Sequence, residues 1–173
     1  MTNITVRYLK FNLEEDKDFN AEVIPGDPEI SYLVVGLSMI LPYLEPYLIK
    51  HSLAGQKIVN DPALLHDMRQ FSQQEGQHYR QHSLFNDRVR KQYPELELLE
   101  RRAKEDYERL SRRGLKFNLA FAEGCESLTH PLGIFMWNSG MIRDMRESIA
   151  DICTWHFLEE MEHRTVAYDA YYH

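Results

Sequence analysis

Apolar residues return every three or four positions along four stretches of this chain, and in each stretch a carboxylate interrupts the apolar stripe. The second stretch begins at "NDPALLHD", where Asp61 can cap a helix and Pro62 fits the first helical position. Leu64, Met68, Phe71, Glu75, His78, His82, Phe85 and Val89 then follow in heptad-like steps, as far as about Gln92, where Tyr93 and Pro94 stop a helix. The first stretch, after the loop "VIPGDPE", places Val34, Leu37, Leu41, Glu45 and Leu48 on one face. The third, about Leu115 to Trp137 with a break or bend near Pro131, aligns Leu115, Leu119, Ala122, Glu126, Thr129, Gly133 and Met136. The fourth, about Ile142 to Tyr172, aligns Ile149, Ile152, Cys153, His156, Glu159, Glu160, His163, Ala167 and Ala170. Between the second and third, "ELELLERRAKEDYERLSRRG" is rich in charge and helix formers and reads as an exposed crossover helix. Strand signals are almost absent, so the expected fold is all-α, a four-helix bundle with a helical crossover between helices two and three. One domain over residues 1–173 is expected, with residues 1–25 as an N-terminal arm.

Composition narrows the function classes. The chain is 43% hydrophobic and 27% charged, as in a soluble globular protein, with a net charge of −7. That charge argues against nucleic acid and against an anionic membrane surface as partners. The stretch from Tyr32 to Ile49 approaches the length of a membrane span, but it carries Glu45 and two prolines and reads as a buried core helix. The N-terminus shows no apolar signal segment, and Cys125 and Cys153 form no CxxC pair, so a reducing cytoplasmic setting is expected.

The ionisable residues on the inner stripes carry the chemistry. Glu75 with His78, and Glu160 with His163, are Glu-x-x-His pairs whose side chains project from one helix face and can reach one ion. Glu45 and Glu126 supply one carboxylate from each remaining helix. Two Glu-x-x-His pairs and two further glutamates form the ligand set of dinuclear carboxylate sites in ferritin-like bundles. Four buried glutamates without partners would be prohibitively costly, whereas two divalent cations balance them. Glu126 is preferred to Glu123 because its separation from Glu160, 34 residues, is nearer the 30 from Glu45 to Glu75; Glu123 would give 37. Glu123, Glu159 and His82 are then expected around the ligands rather than among them, with Glu45 also readable as a kink residue before Pro46. His51, His66 and His173 stand outside any motif and read as surface residues.

"GLSMILPYLEPYLI", "FSQQEGQHYRQHSLFN", "AEGCESLTHPL" and "WHFLEEMEHRTVAYD" resemble the ferritin-like family named predicted metal-dependent hydrolases, over most of the chain after residue 25. The fourth motif also resembles the helix of p-aminobenzoate-type diiron N-oxygenases, which carries His-x-x-x-Glu-x-x-His. That resemblance implies His156 as an additional metal ligand beside Glu160 and His163. Two departures are visible: Leu44 stands where the family usually has Gly, and family members usually continue well past the last motif. The leading expectation is a diiron enzyme that uses O2 to oxidise a small-molecule substrate, with an electron donor as a further partner. The expected ligands are Glu45, Glu75, His78, Glu126, His156, Glu160 and His163 around two divalent metal ions, iron first, then manganese or a mixed pair. The same cage suits a metal-dependent hydrolase, the alternative, or a ferritin-like metal-binding module without turnover. A homodimer is the oligomer expected.

Overall fold

The computed structural model describes residues 4–13 and 16–173, so residues 1–3 and 14–15 of the expected arm lie outside the described residues. The described chain is an all-α helical bundle. Its helices are α1 (Pro28–Gly55), α2 (Pro62–Gln92), α3 (Glu97–Leu110, after a 3-10 turn at Pro94–Leu96), α4 (Leu115–Asn138), α5 (Met141–Asp144), α6 (Glu147–His163) and α7 (Val166–Tyr172). Helices α1, α2, α6 and α4 each touch the next and close a ring, while α3 crosses between α2 and α4 and packs on α1. This is the expected four-helix arrangement with one long helical connection.

Local chemistry sets the boundaries. The Asp27 carboxylate accepts from the Ile30 N–H at 3.1 Å, and Asp61 accepts from the Ala63 N–H at 2.8 Å, each with Pro in the first helical position. Helix α1 is long and apolar enough to cross a membrane, yet it lies along α2 with Ser31, Ser38, Glu45, His51 and Ser52 buried. It continues through Pro42 and Pro46, and α4 continues through Pro131. At Gly133 an added Cβ would meet Phe157 Cδ1 at 2.9 Å, so glycine lets α4 and α6 approach closely.

Three sequence expectations need correction. The fourth helix is not one element from Ile142 to Tyr172. The Arg146 N–H donates to Val23 O at 2.8 Å, which pulls the chain out of helical register before α6 starts. After His163 the chain breaks again, and α7 turns back onto α2 and α4 to bury Val166, Ala167 and Ala170. The inner stripe of α1 keeps the expected Glu45 and Leu48 but is rotated in its first half: Ser31, Val35 and Ser38 are buried, whereas Val34 and Leu41 are half-buried and Leu37 is exposed. His51 is buried rather than on the surface, with Nε2 3.0 Å from Ser111 Oγ and its ring against Tyr47.

The arm is ordered by α2. Gln74 donates to Thr5 O at 3.2 Å, Gln81 donates to Leu9 O at 3.1 Å, and Arg88 donates to Leu13 O. These three side chains stand seven residues apart, on one stripe of α2. Beyond them Gln92 both donates to Phe19 O and accepts from the Ala21 N–H, each at 3.1 Å. The described part of the arm thus hands these backbone groups to side chains of α2 and buries Ile4, Leu13, Phe19, Ala21 and Val23.

Candidate metal centre

Two apolar clusters fill the ends of the bundle. Met68, Phe71, Leu119 and Ala122 belong to one, and Val35, Phe85, Met136 and Ile152 to the other. Between them every inner stripe turns ionisable, and Glu45, Glu75, His78, His82, Glu126, His156, Glu159, Glu160 and His163 are all buried. Donor atoms of Glu75, His78, Glu160 and His163 lie within 4.8 Å of one another. Those of Glu45, His82 and His156 meet the same limit. Glu126 joins through His163, its Oε2 standing 2.9 Å from His163 Nδ1.

Glu75 and Glu160 occupy the middle. Glu75 Oε2 is 3.8 Å from His78 Nδ1, and its Oε1 is 3.4 Å from His163 Nε2. Glu160 Oε1 faces three imidazoles, at 3.0 Å from His156 Nε2, 3.5 Å from His78 Nδ1 and 3.6 Å from His163 Nε2. Each central carboxylate therefore reaches the histidines of both Glu-x-x-His pairs.

The fit to metal rests on atoms that the protein leaves without partners. Both oxygens of Glu45, Oε1 of Glu75, Nδ1 of His78, Oε2 of Glu160 and Nε2 of His163 are buried with no hydrogen-bond partner. A buried unsatisfied polar atom costs roughly 1–3 kcal/mol, more if charged, so six converging on one volume would be a heavy burden. A pair of divalent cations would remove that cost by taking the same atoms as ligands, and Glu/His donors suit first-row transition metals.

Electrostatics point the same way. Burial, with Glu75 and Glu160 close by, raises the Glu45 carboxyl well above its ordinary range. Burial and the charge of Glu160 push Glu126 up to about 8. Burial would also raise Glu160, but the charges of His163 and His78 work against it, and that carboxyl is held low. Burial works against protonation of His163, yet Glu126 and Glu160 bring it up to about 9. His78 is likewise carried well above its ordinary value by Glu159, Glu75 and Glu160 despite its burial. Without cations, protons serve as the counter-charge of the box.

The surrounding shell fixes which nitrogen faces inward. His78 Nε2 is 3.2 Å from Glu159 Oε2, so a proton held there leaves Nδ1 as the inward lone pair. Glu159 is itself held by Arg7 of the arm at 3.1 Å, and Arg7 also pairs with Glu162 at 2.5 Å. A second chain leads to His156. Asn86 donates to Ser38 O at 2.9 Å, which leaves its Oδ1 to accept from Ser38 Oγ at 2.8 Å. Ser38 Oγ then accepts from His82 Nδ1 at 2.8 Å, and His82 Nε2 accepts from His156 Nδ1 at 2.7 Å. This direction of donation leaves the His156 Nε2 lone pair facing Glu160. Burial keeps both rings neutral, with His82 driven well below its ordinary pKa and His156 lowered.

The structure thus brings all seven expected ligands together. His82 falls within a convergent donor set, but both its nitrogens are engaged with Ser38 and His156. Glu159 contacts His78 from outside the box. Glu123 is not brought in; it is half-buried and accepts from Ser127 Oγ at 2.8 Å within α4. Arg7, Ser38 and Asn86 escaped the sequence reading. The α2 stripe of Gln74, Gln81 and Arg88 was the available signal for the arm. Ser38 and Asn86 carry no comparable spacing signal.

Glu159→Ala should free His78 Nε2 and weaken metal retention about 10–100-fold. Arg7→Ala should have a smaller effect in the same direction, since Arg7 is partly exposed and acts only through Glu159. Competition with a chelator of known affinity measures both; unchanged retention in Glu159→Ala would remove Glu159 from the site.

A family profile described as "Predicted metal-dependent hydrolase" matches residues 5–173. No curated protein and no solved structure matches the chain.

Proposed function

The chain belongs to the family of predicted metal-dependent hydrolases, and from that premise we propose that it hydrolyses a small organic substrate at a dinuclear metal site between α1, α2, α4 and α6. The observation that carries this reading is the convergence of partnerless, fully buried donor atoms from Glu45, Glu75, His78, Glu160 and His163. Glu126 and His156 complete the proposed holders. Two divalent ions held there would supply Lewis acidity and lower the pKa of a water molecule toward neutrality.

The chain's own residues set the conditions. Four carboxylates match the charge of two divalent cations. Glu75 and Glu160 hold the two halves in register, because each approaches both His78 and His163. Glu159 and Arg7 orient His78, while Asn86, Ser38 and His82 orient His156. Phe71 and Trp155 pack edge-on against His163 and His78, each with ring centres 4.9 Å apart, and limit entry of bulk water.

A second reading keeps the same residues and assigns O2-dependent oxidation with iron and an external electron donor. The Glu/His-rich donor set favours it, because such cages hold redox metals in helical bundles. Metal-loaded protein should be given a panel of esters and amides with and without O2. Hydrolysis is expected to be independent of O2, lost on chelation and restored by metal. Turnover that requires O2 and a reductant would replace the hydrolase reading with the second one.

A further inference from the structure

A cavity of about 300 Å³ lies beside the metal box, lined from α1, α4 and α6 with contributions from α2 and α3. Val34, Leu41, Leu44, Leu132, Met136 and Phe157 form much of its wall, and no Arg, Lys, Asp or Glu lines it. It runs from exposed Leu37 and Leu128 to the buried rings of His82 and His156. Its hydroxyls on α1 and α4 are already engaged: Ser38 Oγ is committed to His82 and Asn86, and Thr129 Oγ1 donates to Glu126 O at 3.0 Å; Tyr107 and the weakly polar thiols of Cys125 and Cys153 are the other polar lining residues besides the histidines. A charged or strongly polar group would lose its water there without gaining a partner.

The cavity also meets the site directly. His156 is part of its lining, and His156 Nε2 stands 3.0 Å from Glu160 Oε1. A molecule seated in the apolar part would therefore have one end at His156 and the box. The size bounds the occupant. A dry apolar cavity of about 150 Å³ admits benzene, and this one is about twice as large.

We propose that this cavity binds the uncharged hydrocarbon part of the substrate, an alkyl or two-ring aryl group of about ten carbon atoms, with the reacting group directed to His156. The assignment rests on reading the buried Glu/His box as the reaction centre. It narrows the substrate from a small organic molecule to one with a hydrophobic body and a polar reacting end. Sugars, nucleotides and free amino acids are thereby disfavoured, since each would bring several hydrogen-bonding groups against Leu and Met side chains.

The test is a binding ladder. Metal-loaded protein is titrated calorimetrically with straight-chain primary alcohols from butanol to dodecanol. Affinity should rise roughly threefold to fourfold per added carbon, to about ten carbons, and then level off. The doubly charged 1,8-diaminooctane should bind at least tenfold more weakly than 1-octanol, because one charge must enter the apolar part. Leu132→Trp, which fills the cavity from α4, should lower octanol affinity at least tenfold with metal content and helicity unchanged. Val34→Phe, from α1, should do the same and serves as the readout should Leu132→Trp fail to fold. A flat ladder, equal binding of the diamine, or wild-type octanol affinity in a folded, filled variant would overturn the proposal. An intact ladder without ester or amide hydrolysis would support the cavity and reject the hydrolase reading. Hydrolysis with a flat ladder would do the reverse.

Discussion

Glu160→Gln is expected to reduce the metal content of the purified protein from about two ions per chain to one or fewer. Glutamine keeps the volume, so neither packing loss nor a new cavity can explain the result. What changes is charge and donor strength at the atom that faces His156, His78 and His163 at once. Loss of one of four carboxylates leaves two divalent cations under-neutralised in a buried site, where the attraction between charges is much stronger than in water. The effect should exceed the roughly 10–100-fold weakening that loss of an outer hydrogen-bond partner causes. Combining it with Glu75→Gln should abolish binding, since both central carboxylates are then neutral amides. Glu123→Gln serves as the control and should keep the full complement. Elemental analysis after gel filtration provides the count, and full occupancy in the double variant would remove the box as the metal site.

The centre of the bundle was readable in the sequence because helices expose their errors: an ionisable residue on an apolar stripe has no solvent to face. Glu75, His78, Glu160 and His163 were therefore found by spacing, and Glu126 was separated from Glu123 by the matching offsets. The phase of α1 was less legible. That helix is apolar almost all round, so nothing in its first half marks Val35 and Ser38 rather than the expected Val34, Leu37 and Leu41 as the inner side, and only packing against α2 decides; Glu45 and Leu48 face inward as expected. The His156 partners were hidden for a different reason. Ser38 and Asn86 act through one hydroxyl and one amide, residue types that occur on any helix face, and their role depends on rings brought from other helices. The arm carries no periodicity because many of its backbone bonds go to side chains of α2 and α6 rather than along its own chain. The break before α6 was likewise invisible, since it depends on Val23 O, 123 residues earlier than Arg146 in the chain.

Metal removal should make the protein's stability fall with rising pH between about 7 and 10, whereas the metal-loaded form should change much less. The reason lies in the protons that stand in for the cations. In the folded, metal-free chain His163 is pushed up to about 9 from 6.5, His78 is raised well above 6.5, and Glu126 is pushed up to about 8 from 4.5. Each group binds its proton more tightly folded than unfolded. The stability this linkage contributes is fully present below the unfolded pKa and is lost as pH rises through the folded one. Glu160 has the opposite shift, but it is ionised in both states throughout this window, so it adds no slope. His82 and His156 are shifted down and are neutral in both states above about pH 8. The slope therefore comes from His163, His78 and Glu126. It should lower the melting temperature of the chelated protein by on the order of 5 °C or more across the window. Groups outside the box are common to both forms, so the difference between the loaded and chelated curves isolates the box. That difference, followed by calorimetry or far-ultraviolet dichroism, should widen as pH rises, and parallel curves would show that protons and metal ions do not compete for these side chains.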